Sequence, residues 1–211
     1  MLREEGARAL WFKTLGEICY RRLVIMEFPL EQTIPTFPID GPASIDFLDP
    51  LEIDEYLSFQ RQDRREQISA RFAAGHRCFA ARIDGQLAGV TWCALGDARI
   101  EFLGVAFPLA PGEAFGFGTY THPSFRARGV ASGIRSQLLS TLKREGLQRC
   151  FGAVMPENRG GMRVAEKLGY RPIGIVGAVW FGGHRQRRRV IRMKRGELAP
   201  GSENQRSRSG R

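Results

Sequence analysis

With 211 residues, 43% of them hydrophobic, the chain holds enough apolar material for one domain with a real core, which excludes global disorder. Nothing near roughly 18 consecutive apolar residues occurs, which excludes a membrane-spanning helix. Of the net charge of +10, ten Lys/Arg against two Asp/Glu between His184 and Arg211 account for +8, so the rest is close to balance and nucleic acid is not expected as the main partner.

In chain order, Arg3–Tyr20 reads as an amphipathic helix, with Ala7, Trp11, Leu15 and Ile18 at helical spacing. Burial of that stripe against the domain is preferred to attachment at a membrane interface. No apolar run follows Arg3, Glu4 and Glu5, so no secretory signal is expected and the protein is read as cytoplasmic. Leu23–Phe28 is a short strand, followed by a loop with Pro35, Pro38, Gly41 and Pro42 and an alternating stretch at Ile45, Phe47 and Leu48. Helices are predicted over Leu51–Phe59 and Arg64–Ala74, the second stopped by Gly75. His76–Ile83 and Leu87–Leu95 form a hairpin through Asp84-Gly85. Arg99–Phe107 is read as a third strand, and Ala114–Thr121, after Pro108, Pro111 and Gly112, as a fourth.

The helix Gly129–Glu145 places Val130, Ile134, Leu138 and Leu142 at a four-residue step and ends at Gly146. Strand Cys150–Met155, helix Glu157–Leu168 and a hairpin Arg171–Phe181, Gly182-Gly183, His184–Met193 complete the pattern. The outcome is an α/β fold, a mixed central sheet flanked by helices. One domain is expected over 1–195, with an apolar-poor basic tail over 196–211 expected to be disordered. Cys19, Cys78, Cys93 and Cys150 are scattered without a Cys-x-x-Cys pair, so buried thiols are expected and no metal.

The chemistry concentrates where the fourth strand turns into the long helix, Tyr120 to Ser132. A turn entering a helix offers unpaired N–H groups and a partial positive charge, a site suited to a diphosphate. Gly129 and Ala131 lack bulk where a ligand could come close, and Arg126 and Arg128 add cationic charge.

Arg126-x-x-Gly129-x-Ala131 resembles the acetyl-CoA signature of the GNAT superfamily of N-acetyltransferases: Gln or Arg, two residues, Gly, one residue, then Gly or Ala. The strand before it, the helix after it and the upstream hairpin match the setting of that signature. Asn158 and the run Ala165-Glu-Lys-Leu-Gly-Tyr170 are similar to a second family segment. The resemblance spans roughly His76–Met193, with the N-terminal third similar only in outline.

The resemblance implies a GNAT-like sheet with a V-shaped splay between the fourth and fifth core strands. It implies transfer of an acetyl group from acetyl-CoA, as co-substrate, to a primary amine by direct attack in a ternary complex. Backbone amides of Ala127, Arg128, Gly129, Ala131 and Ser132 would cradle the CoA diphosphate, and strand Thr119–Thr121 would pair with the pantetheine arm. An N–H near Thr119 or Tyr120 would polarise the thioester carbonyl. Asn158 would contact the cofactor, the alternative being a bond to its own helix terminus.

One departure stands out: Ala165 occupies the position where the family often carries a Tyr that protonates the leaving thiolate. Tyr120, Tyr170, Ser132, a solvent proton or no strong acid at all are the replacements, with Tyr120 preferred. The preferred base is Glu101, which alternates with Ile100 and Phe102 on the predicted strand; a solvated strand carboxylate is its plain alternative. Glu113 and His122 are secondary candidates. No Cys lies in the motif, which disfavours a covalent enzyme intermediate.

The acceptor is expected to be a small-molecule amine, with the basic surface favouring an anionic one, and the edge of the final hairpin offers a route to a homodimer. Two other readings compete. One is a longer acyl chain from CoA or an acyl carrier protein drawn to Arg187–Arg189; the other is a non-catalytic CoA-binding module.

Overall fold

The computed structural model describes residues 20–96, 98–100, 103, 105–180 and 187–193. The expected helix up to residue 19, Glu101 with its neighbour Phe102, the Gly182-Gly183 turn and the basic tail lie outside the described residues.

The described chain forms strands β1 (Tyr20–Pro29) and β2 (Ala43–Phe47), then helices α1 (Ile53–Phe59) and α2 (Arg65–Ala73). Strands β3 (Arg77–Ile83), β4 (Gln86–Ala94), β5 (Ala98–Ile100), β6 (Val105–Phe107) and β7 (Glu113–Thr121) follow. Helix α3 (Val130–Arg144), β8 (Arg149–Val154), α4 (Arg159–Leu168), β9 (Arg171–Trp180) and β10 (Arg187–Met193) complete it. Eight strands make one sheet in the order β10-β9-β1-β8-β7-β4-β3-β2. Its neighbours are antiparallel except β7 and β8, which run parallel and need the α3 crossover between them. This is the mixed α/β sheet expected from the pattern.

Local chemistry accounts for the main boundaries. Asp84 and Gly85 both adopt positive φ, 51° and 77°, the conformation a two-residue hairpin of matching twist requires. Helix α3 buries Val130, Ile134, Leu138 and Leu142 to 2% exposure or less, each such side chain contributing roughly 1.5–3 kcal/mol. Beyond its last residue, the Leu147 N–H reaches back to the Leu142 carbonyl at 3.1 Å, with Gly146 at a left-handed φ of 82°. One face of the sheet packs on α3 and α4 through Met26, Phe28, Cys150 and Leu168. The other carries α1 and α2, where Tyr56, Ile68, Val90 and Trp92 meet.

The predicted third strand, Arg99–Phe107, is corrected by the structure. It is a small hairpin in which β5 pairs with β6, Ile100 opposite Val105, apart from the main sheet. Leu103 accounts for the fold-back: its N–H bonds the Ile100 carbonyl at 3.0 Å and its side chain is buried.

A proline-rich strap, residues 30–42, lies along α3. Lys143 Nζ donates to the carbonyls of Glu31 and Gln32, Ser136 Oγ to Pro35 O at 2.6 Å, and the Asp40 N–H to Arg128 O at 3.0 Å. The strap thus fastens both ends of the helix and its N-terminal turn.

Candidate active site

The parallel register of β7 and β8 runs from Glu113↔Arg149 to Gly116↔Gly152. Past that point β7 continues to Thr121 paired only with β4, and β8 continues to Val154 paired with β1. Between the unpaired halves, and open toward the start of α3, lies a cleft of about 730 Å³. Residues 116–121 of β7 form one wall and Ala153, Val154 and Met155 the other. The turn at Arg126 and Ala127 and the first turns of α3 close the end. On the β4 side the β7 register slips between Val90 and Trp92, and Gly118 takes a φ of 59° beneath the Trp92 ring. That bulge leaves Gly118 and Thr119 outside the paired positions, with Thr119 Oγ1 2.8 Å from Thr91 Oγ1.

At the head of α3 the backbone is arranged for an anion. Ala127 and Gly129 both have positive φ, 64° and 78°, on either side of Arg128, a pattern that gathers successive N–H groups into a concavity. Among the described residues, the N–H groups from Ala127 to Ser132 donate to no protein acceptor; the first helical bond is Gly133 N–H to Gly129 O. The bend is held from behind: His122 Nδ1 accepts from the Ser124 N–H, starting a short 3₁₀ turn over Pro123–Phe125. His122 is thereby a capping group, and its ring packs near Phe59 and Phe125.

Several predicted site residues also make contacts within the protein. The space at Gly129 belongs to the protein itself, since a Cβ there would lie 2.4 Å from Pro38 O. Gly133, one turn on, makes the same room for Ile39. Arg128 turns its guanidinium to Asp40 O at 2.7 Å and to the Phe125 ring. Arg126 and Ala127 stay exposed at the cleft mouth. Asn158 lines the cleft but uses Oδ1 to cap α4, accepting from the Gly161 N–H at 2.9 Å, which is the alternative weighed for it. Ser132 is 8% exposed and Ala131 half-buried, both on the cleft wall.

Thr121 adds an independent sign of a missing partner. It lines the cleft, and its Oγ1 is buried without a hydrogen bond. A buried hydroxyl left unpaired is costly, so the atom calls for a polar group from a ligand or water.

The acid–base candidates separate. Tyr120 lines the cleft, its ring edge-on to Phe59 at 5.3 Å. Tyr170 is buried, donates its hydroxyl to Cys150 Sγ at 3.4 Å, and burial pushes its pKa well up, so it is a poor proton donor. Ala165 is fully buried in the core, and nothing hydroxylic stands at that position. Glu113 is buried at the far end of β7, ion-paired to Arg149 and accepting from the Ala110 N–H at 2.8 Å, a structural carboxylate rather than a base. No Asp or Glu lines the cleft among the described residues.

Pattern reading missed Arg135. It lies one turn after Ala131 on the buried face of α3, is 7% exposed, and lines the cleft. The signal was available: a charged residue at the four-residue step from Ala131, directly after Ile134 and one turn before Leu138 and Leu139, breaks an otherwise apolar stripe. Among the described residues no group of His, Cys, Asp or Glu could hold a metal ion, and no helix is long and apolar enough to cross a membrane.

Comparison with known proteins agrees with this architecture. A structure of a GNAT-family acetyltransferase from Novosphingobium aromaticivorans is 19% identical, with a TM-score of 0.53 over 76% of this chain and 65% of that one. A GCN5-related N-acetyltransferase from Sphaerobacter thermophilus is 15% identical, with a TM-score of 0.55 over 78% and 53%. A tandem GNAT protein from the clavulanic acid biosynthesis pathway is 15% identical, with a TM-score of 0.55 over 86% and 61%. The chain thus spans less than two thirds of each of these structures, and at such identities they speak for the fold. No curated protein matches. The sequence model of the Acetyltransferase (GNAT) family matches residues 45–170, more than half the chain and every cleft-lining residue except Leu23. With its forked parallel strands and open-amide helix start, the chain belongs to the GNAT acetyltransferase family.

Proposed function

We propose that the protein transfers an acyl group, acetyl in the simplest case, from CoA to the primary amine of an acceptor, with both substrates bound together. The observation that carries this reading is the row of unbonded N–H groups from Ala127 to Ser132 at the mouth of a cleft that runs on to the strand fork. The diphosphate of CoA fits those amides, with the exposed Arg126 beside them. The pantetheine arm runs along Thr119–Thr121, and the orphan Thr121 Oγ1 supplies one hydrogen bond to it. Asn158 contacts the arm through the amide end that its capping bond leaves over.

In the reaction the acceptor's neutral nitrogen attacks the thioester carbonyl carbon; the C–N bond forms, the C–S bond breaks, and its electron pair goes to sulfur. The N–H groups beside the Gly118 bulge lie where they can stabilise the negative charge developing on the carbonyl oxygen. Tyr120 supplies a proton to the departing sulfur. Since a thiol has a pKa near 8.5, that assistance is worth only part of the usual roughly 10²–10⁴-fold. Glu101 takes the proton from the amine through water. Its neighbours in sequence support this reading: Ile100 and Leu103 share an apolar cluster with Phe117 and Ala153, two residues of the cleft wall.

Isothermal titration with acetyl-CoA and CoA tests the donor site: micromolar binding is expected, and absence of heat at hundreds of micromolar from folded protein rejects the reading. Thiol release across a panel of amines then identifies the acceptor. With an acceptor in hand, Glu101→Gln should abolish the acid limb of the pH–rate profile, and Tyr120→Phe should lower kcat about tenfold with KM little changed.

A further inference from the structure

We propose that the preferred acyl donor carries a carboxylate at the end of a short acyl chain, as in a dicarboxylic acyl-CoA, and that Arg135 is the residue that recognises it. This deepens the CoA-thioester reading above and rests on it. Arg135 projects from α3 toward the point where β7 and β8 part. A Cβ built on Gly152, the last residue of β8 paired with β7, would stand 3.3 Å from Arg135 Nη2, so glycine there leaves the guanidinium its place. The side chain is 7% exposed, and what remains open faces the cleft.

Among the described residues the charge has no carboxylate counter-ion. Arg71, Arg77, Arg82 and Arg149 each pair with at least one carboxylate, whereas among the described residues none lies within 4.0 Å of Arg135. Its companion is the face of Tyr170, with Cζ 4.7 Å from the ring centroid. An aromatic face attracts a cation without neutralising it, and a buried guanidinium with five N–H donors is costly unless an anion meets it. The Tyr170 hydroxyl donates to Cys150 Sγ and accepts from Arg135, a neutral partner that meets one N–H and leaves the charge itself unmet.

Position separates this cation from the diphosphate site. Arg135 stands six residues beyond Gly129, about 9 Å along the helix axis, and three beyond Ser132, the last of the open amides, and its guanidinium is held at the fork. A donor whose diphosphate sits on the amides and whose arm follows β7 brings its acyl group to that fork. A chain ending in methyl would leave the buried charge unmet. One ending in carboxylate pairs with it through charge-assisted, bidentate hydrogen bonds. The carboxylate is a handle only: in transfer the thioester C–S bond breaks, the amide C–N bond forms, and the terminal acid is carried over unchanged.

Titration of the full chain with CoA, acetyl-CoA, butyryl-CoA and succinyl-CoA tests this. Succinyl and butyryl share a four-carbon chain and differ at its end, carboxylate against methyl. Succinyl-CoA is expected to bind at least about tenfold tighter than butyryl-CoA, the scale of one charge-assisted hydrogen bond. Arg135→Met should erase that preference while CoA itself binds within about twofold of the parent. The comparison on the unaltered protein needs no variant, so a misfolded Arg135→Met leaves the test intact. Equal affinity for the two four-carbon donors overturns the proposal, as does a preference that survives Arg135→Met. A loss of CoA binding equal to the loss of succinyl-CoA binding in folded Arg135→Met also overturns it, assigning Arg135 to the diphosphate. If no CoA species binds the unaltered protein, the failure lies with the donor reading itself.

Discussion

Replacing Gly129 with Ala tests whether the glycine of the signature serves the ligand or the fold. Its φ of 78° costs an L-residue roughly 1–2 kcal/mol. The new Cβ would also sit 2.4 Å from Pro38 O, a backbone atom, so the strap must lift. Lifting it endangers the Asp40 N–H bond to Arg128 O and the Arg128 Nη2 bond to Asp40 O, 3.0 and 2.7 Å long. At about 0.5–1.5 kcal/mol each, the two bonds bring the total loss to roughly 2–5 kcal/mol. Gly85→Ala is the control, because φ there is 77° but nothing lies within 4 Å of the added methyl. It should cost only the conformational part, about 1–2 kcal/mol. Urea unfolding followed by tryptophan fluorescence reads the difference, with a slope of about 2–3 kcal/mol/M placing the Gly129→Ala midpoint roughly 1–2 M below that of the parent. Equal midpoints for the two variants would refute the reasoning and return Gly129 to a role in ligand approach.

Thr121→Val should weaken CoA binding about three- to tenfold by titration while leaving the melting temperature unchanged or slightly raised, since Oγ1 has no partner within the protein. Glu113→Ala should destabilise the fold by about 1–3 kcal/mol in urea, because it removes the closer of the two carboxylates on Arg149, leaving Glu27, and the acceptor of the Ala110 N–H, yet leave CoA affinity unaltered. Burial raises the pKa of Cys78, Cys93 and Cys150, so these thiols should resist iodoacetamide at pH 8 until the protein is unfolded, as peptide mass spectrometry would show.

Local, periodic features carried most of what could be read without coordinates. The Val130–Leu142 step, the Asp84-Gly85 turn and the stops at Gly146 and Gly75 each depend on neighbours within a few residues, and each appears in the structure near its expected boundary. The anion-binding turn before α3 was legible for the same reason. Arg99–Phe107 was misread because β-branched and aromatic content cannot distinguish one strand from two short ones folded back at a buried leucine. Arg135 escaped notice because a single arginine in a helix usually points to water, and only the fork at Gly152 gives it a buried place.

By itself, then, the sequence determined the family, the order of elements and the stretch of backbone that offers open amides, since these follow from spacing along the chain. Tertiary structure alone decided who occupies the room beside Gly129, which way Arg128 points, that Asn158 caps its own helix, and that Arg135 stands at the strand fork with no carboxylate beside it among the described residues. Those outcomes depend on contacts between residues as far apart as Pro38 and Gly129 or Arg135 and Gly152. Spacing along a chain records which residues are near in sequence, and only the folded backbone sets which of them meet in space.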